Sequence, residues 1–138
     1  MRKLLLVGSS IFEQWANAAT LSPDDCVVNR AIGGTTTREW RALLPTTLTQ
    51  EMPDVVCLYC GSNDLNREYP AAEIIENLAF ILQVVQSQPH RPRYAYFSII
   101  KAPQKAGKWE LIDQINARVR QQLPIGTLYV ELNDIFVP

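Results

Sequence analysis

Apolar residues follow two spacings along this chain. Short apolar runs, rich in β-branched and aromatic residues, have the length of strands: "KLLLV" (Lys3–Val7), "CVVNR" (Cys26–Arg30), "DVVCLYC" (Asp54–Cys60), "RYAYFSII" (Arg93–Ile100) and "TLYVEL" (Thr127–Leu132). Between them the apolar positions recur every three or four residues, the spacing of one helix face. Ile11 to Ala19 reads as a short helix. Thr37 to Gln50 puts Trp40, Leu43, Leu44 and Leu48 on one side, with Pro45 predicting an interruption. Pro70 suits the first turn of a long helix lined by Ile74, Leu78, Ile81, Leu82 and Val85. Lys108 to Gln122 carries Leu111, Ile112, Ile115 and Val119 on one face.

Strands and helices alternate as βαβαβαβαβ. Strands one and three are continuous apolar runs, as expected when both sheet faces are covered. The expected fold is a single α/β domain over residues 1–138. It is a three-layer α/β/α sandwich with a flavodoxin-like parallel five-stranded sheet in the order 2-1-3-4-5. After strand five only "NDIFVP" remains, where a sheet of this order normally continues into a helix. The domain is therefore expected to lack its last helix and to be C-terminally incomplete. The apolar face left bare would suit a covering partner, such as a second copy in a homodimer.

Composition narrows the function classes. A chain of 138 residues with a net charge of −1 has no basic excess for nucleic acid or an anionic membrane surface. No run approaches membrane-spanning length, and Leu4 to Val7 is too short for the core of a signal peptide, so the expectation is a cytoplasmic protein. Three cysteines at irregular spacing suggest no disulfide framework. Cys57 and Cys60 form a C-x-x-C, but on a strand their side chains point to opposite faces, which reads as two separate thiols. With one histidine, no G-x-G-x-x-G and no Walker lysine, neither a metal nor a cofactor is expected.

Ligands of such sheets bind beyond the carboxyl ends of the strands. Three polar clusters fall there: Gly8-Ser9-Ser10 after strand one, Gly33-Gly34 in "AIGGTTT" after strand two, and Gly61-Ser62-Asn63-Asp64 after strand three. Ser10, at the start of a helix, can supply a nucleophilic hydroxyl and a backbone donor. Gly34 can bring its N–H close to a substrate oxygen, and Asn63 can add its amide, together forming an oxyanion hole. Each has a plainer role: the serines as helix caps, the glycines as turn residues, Asn63 in an Asx turn. Three such loops at one end of adjacent strands favour a site.

"VGSSIFEQW", "VVNRAIGGTTT" and "YCGSNDL" resemble, in order, the first three sequence blocks of the SGNH hydrolases, also called GDSL lipases and esterases. The resemblance spans nearly the whole chain. It implies the α/β/α fold and hydrolysis of small acyl esters or thioesters. It implies Ser10 as nucleophile and oxyanion donor, with Gly34 and Asn63 as the further donors. The family's G-D-S reads G-S-S here, with Ser9 in place of aspartate. The D-x-x-H block that supplies the family's base is not present. His90 lies between the third long helix and strand four, at the amino ends of the strands, and reads as an exposed loop residue. Asp134, just past strand five, could orient a water. Two alternatives to the esterase follow. One is a catalytically incompetent SGNH-like fragment that binds or assembles. The other is a flavodoxin-like nucleotide or phosphate binder using the helix N-terminus after the serines.

Overall fold

The computed structural model describes residues 2–9 and 25–134. The expected helix from Ile11 to Ala19, and with it Ser10, Phe12 and Trp15, lies outside the described residues. The strands are β1 (Lys3–Gly8), β2 (Cys26–Asn29), β3 (Val55–Tyr59), β4 (Arg93–Phe97) and β5 (Leu128–Val130). The helices are α1 (Thr37–Glu51), α2 (Ser62–Asn66), α3 (Ala71–Gln86) and α4 (Trp109–Gln122). Two 3₁₀ turns, Pro103–Lys108 and Leu132–Asp134, follow β4 and β5. The sheet runs β2-β1-β3-β4-β5 with every pairing parallel, the order read from the sequence. Strands four and five are shorter than the apolar runs suggested, and α2 was not anticipated.

The register divides the side chains between two faces. Leu5 and Val7 of β1, Val56 and Leu58 of β3, and Tyr94 and Tyr96 of β4 point into one buried core. There they meet Trp40, Leu44 and Leu48 of α1, Ile74, Leu78 and Ile81 of α3, and Ile112, Ile115 and Val119 of α4. Leu6, Tyr59 and Leu132 belong to a second, smaller cluster on the opposite face, with Cys57, Phe97 and Val130 packed against it. The period of two thus separates the C-x-x-C sulfurs: Cys60 is in the large core and Cys57 against the small one. Burial alone raises the Cys57 thiol to about 11, and burial foremost lifts Cys60 well above its ordinary value, so neither is a thiolate near neutrality. On the second face Leu4, Val55, Cys57, Phe97 and Leu128 line an apolar hollow of about 540 Å³. Among the described residues no helix covers it.

Pro45 does not interrupt α1; the helix runs unbroken from Thr37 to Glu51. A proline inside a helix costs about 3 kcal/mol through a lost hydrogen bond and a clash with the preceding turn. Full burial of Leu44 and Leu48 on either side contributes about 1.5–3 kcal/mol each, enough to carry the helix through. Leu43, placed on the buried face by its spacing, is instead 41% exposed. Its three-residue step from Trp40 takes it to the edge of the stripe.

Gly8 ends β1 at φ +122°, and a Cβ there would lie 1.9 Å from the Tyr59 carbonyl oxygen. Gly8→Ala is expected to cost at least about 3 kcal/mol, combining left-handed strain with a displaced β1–β3 pairing. Gly107→Ala, whose Cβ meets nothing within 4 Å, is expected to stay within about 0.5 kcal/mol of the parent. Urea titrations of both variants check this, and equal stabilities would refute the steric account.

Candidate active site

The carboxyl end of the sheet is organised around the Gly8 carbonyl. It accepts the Ile32 N–H at 2.9 Å and the Trp40 indole N–H at 2.9 Å. The Thr35 hydroxyl donates to Ile32 O at 2.6 Å and has Gly8 O as a second acceptor at 3.1 Å. The next residue, Ser9, donates its N–H to Tyr59 O at 2.9 Å. The end of β1 is therefore bonded to the end of β3 on one side and to the loop after β2 on the other. Trp40 sits in the core as its spacing suggested, and its N–H, shared with Thr35 Oγ1 at 2.9 Å, also orders the loop.

Ser9, 1% exposed, stands where the resemblance places an aspartate, and its hydroxyl has no hydrogen-bond partner among the described residues. The following residue, Ser10, lies outside the described residues, so only its approach is visible. That approach is the rigid strand end just described.

The loop after β2 carries Gly34 at φ +80°, exposed and with open space around it. This left-handed conformation favours glycine. Its carbonyl accepts from Arg67 at 3.3 Å, and the adjacent Thr35 carbonyl accepts from the Asn63 amide at 2.9 Å. Asn63 thus touches the Gly34–Thr35 segment directly, which brings two of the three sequence-selected residues together. That bond uses one of the two Asn63 amide hydrogens and leaves the other able to donate elsewhere.

A buried carboxylate that the site reading passed over holds this arrangement from behind. Asp64, 0% exposed, accepts the Thr37 backbone N–H at 2.9 Å and the Thr37 hydroxyl at 2.5 Å. Thr37 opens α1, so Asp64 caps that helix from another segment of the chain and satisfies a donor the helix cannot. The Thr37 hydroxyl in turn accepts from Asn77 at 3.0 Å, and Asn77 accepts from Arg41 at 3.0 Å. Burial raises the Asp64 pKa, and the Thr37 bonds offset part of that rise. The sequence signal was present: an aspartate after Asn63, facing a threonine at a helix start.

His90 is partly buried rather than exposed, and its Nε2 lies 2.9 Å from Pro53 O. Pro53 precedes β3, so the imidazole sits at the amino end of the sheet, opposite Gly34 and Asn63. Asp134 is exposed at the end of its 3₁₀ turn. The nearer acid, Glu131, is committed to other partners, taking the Ser98 hydroxyl at 2.6 Å and the Asn133 N–H at 3.1 Å. Among the described residues no cluster of histidine, cysteine or carboxylate could hold a metal ion, and no helix is long and apolar enough to cross a membrane.

The GDSL-like Lipase/Acylhydrolase family model matches residues 7–138. The chain belongs to that family. An arylesterase from Vibrio mimicus is 36% identical to this GDSL-like chain over 63 residues, 46% of the chain and 32% of the arylesterase. The matched stretch is thus about a third of that relative's length. Among solved structures, TesA is 26% identical with a TM-score of 0.73, over 88% of this chain and 74% of TesA. A GDSL-like lipase from Bacteroides thetaiotaomicron shares 17% identity with a TM-score of 0.80, over 99% of this chain and 71% of the lipase. That second likeness is one of fold.

The Asp64 network of this GDSL-like chain has two measurable consequences. Asp64→Ala leaves the Thr37 N–H and the Thr37 hydroxyl hydrogen without an acceptor in the core, at about 1–3 kcal/mol for each, so a loss of about 2–6 kcal/mol is expected in urea titrations. The second is a pH effect. Because the folded pKa is raised, this group's contribution to stability is full below the unfolded value of about 3.9 and is lost as pH rises through the folded value. Asp64→Asn cannot ionise and escapes that loss. The stability difference between variant and parent should shift toward the variant as pH rises through that window, whereas a pH-independent difference would refute it.

Proposed function

We propose that this chain carries the nucleophile and oxyanion elements of a serine ester hydrolase. Ser10 Oγ attacks the ester carbonyl. The Ser10 N–H, the Gly34 N–H and the free Asn63 amide hydrogen hold the oxyanion of the tetrahedral intermediate. Collapse of that intermediate expels the alcohol and leaves an acyl-serine, which water then cleaves to the free acid. The observation that carries this reading is the hydrogen bond from Asn63 to the Thr35 carbonyl beside an exposed, positive-φ Gly34, at the end of the sheet where β1 delivers Gly8 and Ser9. Preformed donors of this kind cost no reorganisation as the oxyanion develops.

A second reading is favoured by the position of His90. A serine hydroxyl needs a proton acceptor to attack near neutral pH, and the single histidine of residues 1–138 is held at the opposite end of the sheet. On that reading the pocket binds acyl groups without turning them over.

Hydrolysis of 4-nitrophenyl acetate separates the two. The esterase reading expects Ser10→Ala to abolish turnover and Asn63→Ala to lower kcat by roughly 10²–10³. His90→Gln should leave the rate unchanged. Equal rates for the parent and Ser10→Ala would sink the catalytic role, while acyl binding without any turnover would support the second reading.

A further inference from the structure

Beside Asn63 the carboxyl end of the sheet opens into a groove of about 310 Å³. Tyr59 and Ile100 supply its apolar wall; Ser62, Asn66, Gln104 and Lys105 supply polar groups, and among the described residues none of its lining is acidic. Lys105 is partly buried, and its Nζ donates to Asn66 Oδ1 at 2.5 Å. It has no carboxylate partner among the described residues. Its neighbour in sequence and charge, Lys108, donates its ammonium to the Leu65 carbonyl. Three other cations have carboxylate partners: Arg67 with Glu39, Arg38 with Glu73, and Lys101 with Asp113.

A lysine losing water beside a second lysine, with only neutral acceptors, carries an uncompensated electrostatic cost. Burial foremost, and then Lys108, lowers the Lys105 pKa, in line with that cost. Structural ion pairs remove such a cost with a carboxylate, and this chain does so at Arg67, next in sequence to Asn66. An anion supplied by a ligand would remove it here. An ammonium with two hydrogens left over, flanked by amide donors from Asn66 and Gln104, can receive a carboxylate or a phosphate.

We propose that this groove selects esters that carry a negatively charged group, held by Lys105 while the ester carbonyl lies at Asn63. This assignment rests on the esterase reading for its chemistry but not for its binding. Lys105 is then a specificity-determining residue, touching the substrate away from the reacting atoms.

The test uses the full chain and two pairs of probes. Mono-4-nitrophenyl succinate against 4-nitrophenyl acetate places the charge on the acyl side. The pair 4-acetoxybenzoate and 4-acetoxybenzamide places it on the alcohol side. For at least one pair, Lys105→Gln is expected to lower the charged-to-neutral ratio of kcat/KM about tenfold, mainly through KM, and Lys105→Arg to restore most of it. The pair that responds tells which side of the ester occupies the groove. In 0.5 M NaCl the preference should shrink.

Binding is read independently, from amide shifts of Asn66 and Lys105 on titration with succinate, 4-hydroxybenzoate and their neutral amides. Acid binding that Lys105→Gln weakens, in a chain without turnover, would uphold the groove assignment while overturning the esterase reading. Acids that bind no better than their amides, or binding and ratios indifferent to Lys105→Gln, would overturn the assignment itself.

Discussion

The carbonyl of Gly8 is the joint on which this end of the molecule depends. A peptide oxygen at the end of a buried strand has to be paired, since leaving it dry and unbonded costs about 1–3 kcal/mol. Here the loop after β2 and the indole of α1 meet that demand, through Ile32 and Trp40, with Thr35 at longer range. The position of Gly34 is thereby slaved to the end of β1. The arrangement requires glycine at residue 8, because any Cβ would collide with the Tyr59 carbonyl. One missing methyl group lets β1 press against β3 closely enough for Ser9 to bond Tyr59 while its own strand end gathers the neighbouring loop.

Asp64 performs the matching task from the β3 side. It sits next to Asn63 and is fully buried, yet both its oxygens are used by Thr37 at the head of α1. A carboxylate is stabilised at a helix N-terminus by the free N–H groups and the helix dipole, which makes such burial tolerable. The loop carrying Gly34 runs directly into that helix. Asn63 and Gly34 are thus fixed relative to each other twice, once by the Asn63–Thr35 bond and once through Asp64 and α1. Oxyanion donors are worth most when they need not move as charge develops, and a doubly fixed pair would meet that condition in the role proposed for it.

Most of the fold was legible because sheet and helix periods differ so clearly here. Strand order, the helix faces of α3 and α4, and the separation of Cys57 from Cys60 all follow from which residues recur at two and which at three or four. Pro45 misled because local propensity was weighed without the burial of Leu44 and Leu48 around it. Helix α2 was hidden by its length: five residues, Ser62–Asn66, are too few to show a period. At the site, Gly34 and Asn63 stood out because their loops, with that of Ser10, follow adjacent strands at one end of the sheet and match the family's blocks in order. The roles of Asp64 and Lys105 escaped because loop position alone does not reveal them. A carboxylate and a lysine in polar stretches look solvated until three-dimensional packing shows one buried against Thr37 and the other without a counter-ion among the described residues.

The two ends of the sheet treat their titratable groups differently, and this bears on the proton that a serine nucleophile must lose. At the amino end His90 rests on the Pro53 carbonyl, which binds an imidazole N–H and gives the ring a structural task. At the carboxyl end Glu131, directly after β5, is a poor base. Burial pushes the Glu131 pKa up, but bonds from Ser98 and Asn133 outweigh it and hold the group below its ordinary value. A carboxylate whose lone pairs are already taken by a hydroxyl and an N–H has little affinity left for a further proton. Among the described residues the proposed site therefore concentrates its built-in electrostatics on receiving negative charge, through Gly34, Asn63 and Lys105. On the proposed esterase reading, that asymmetry makes acyl binding and oxyanion stabilisation the chemistry these described residues are arranged to support.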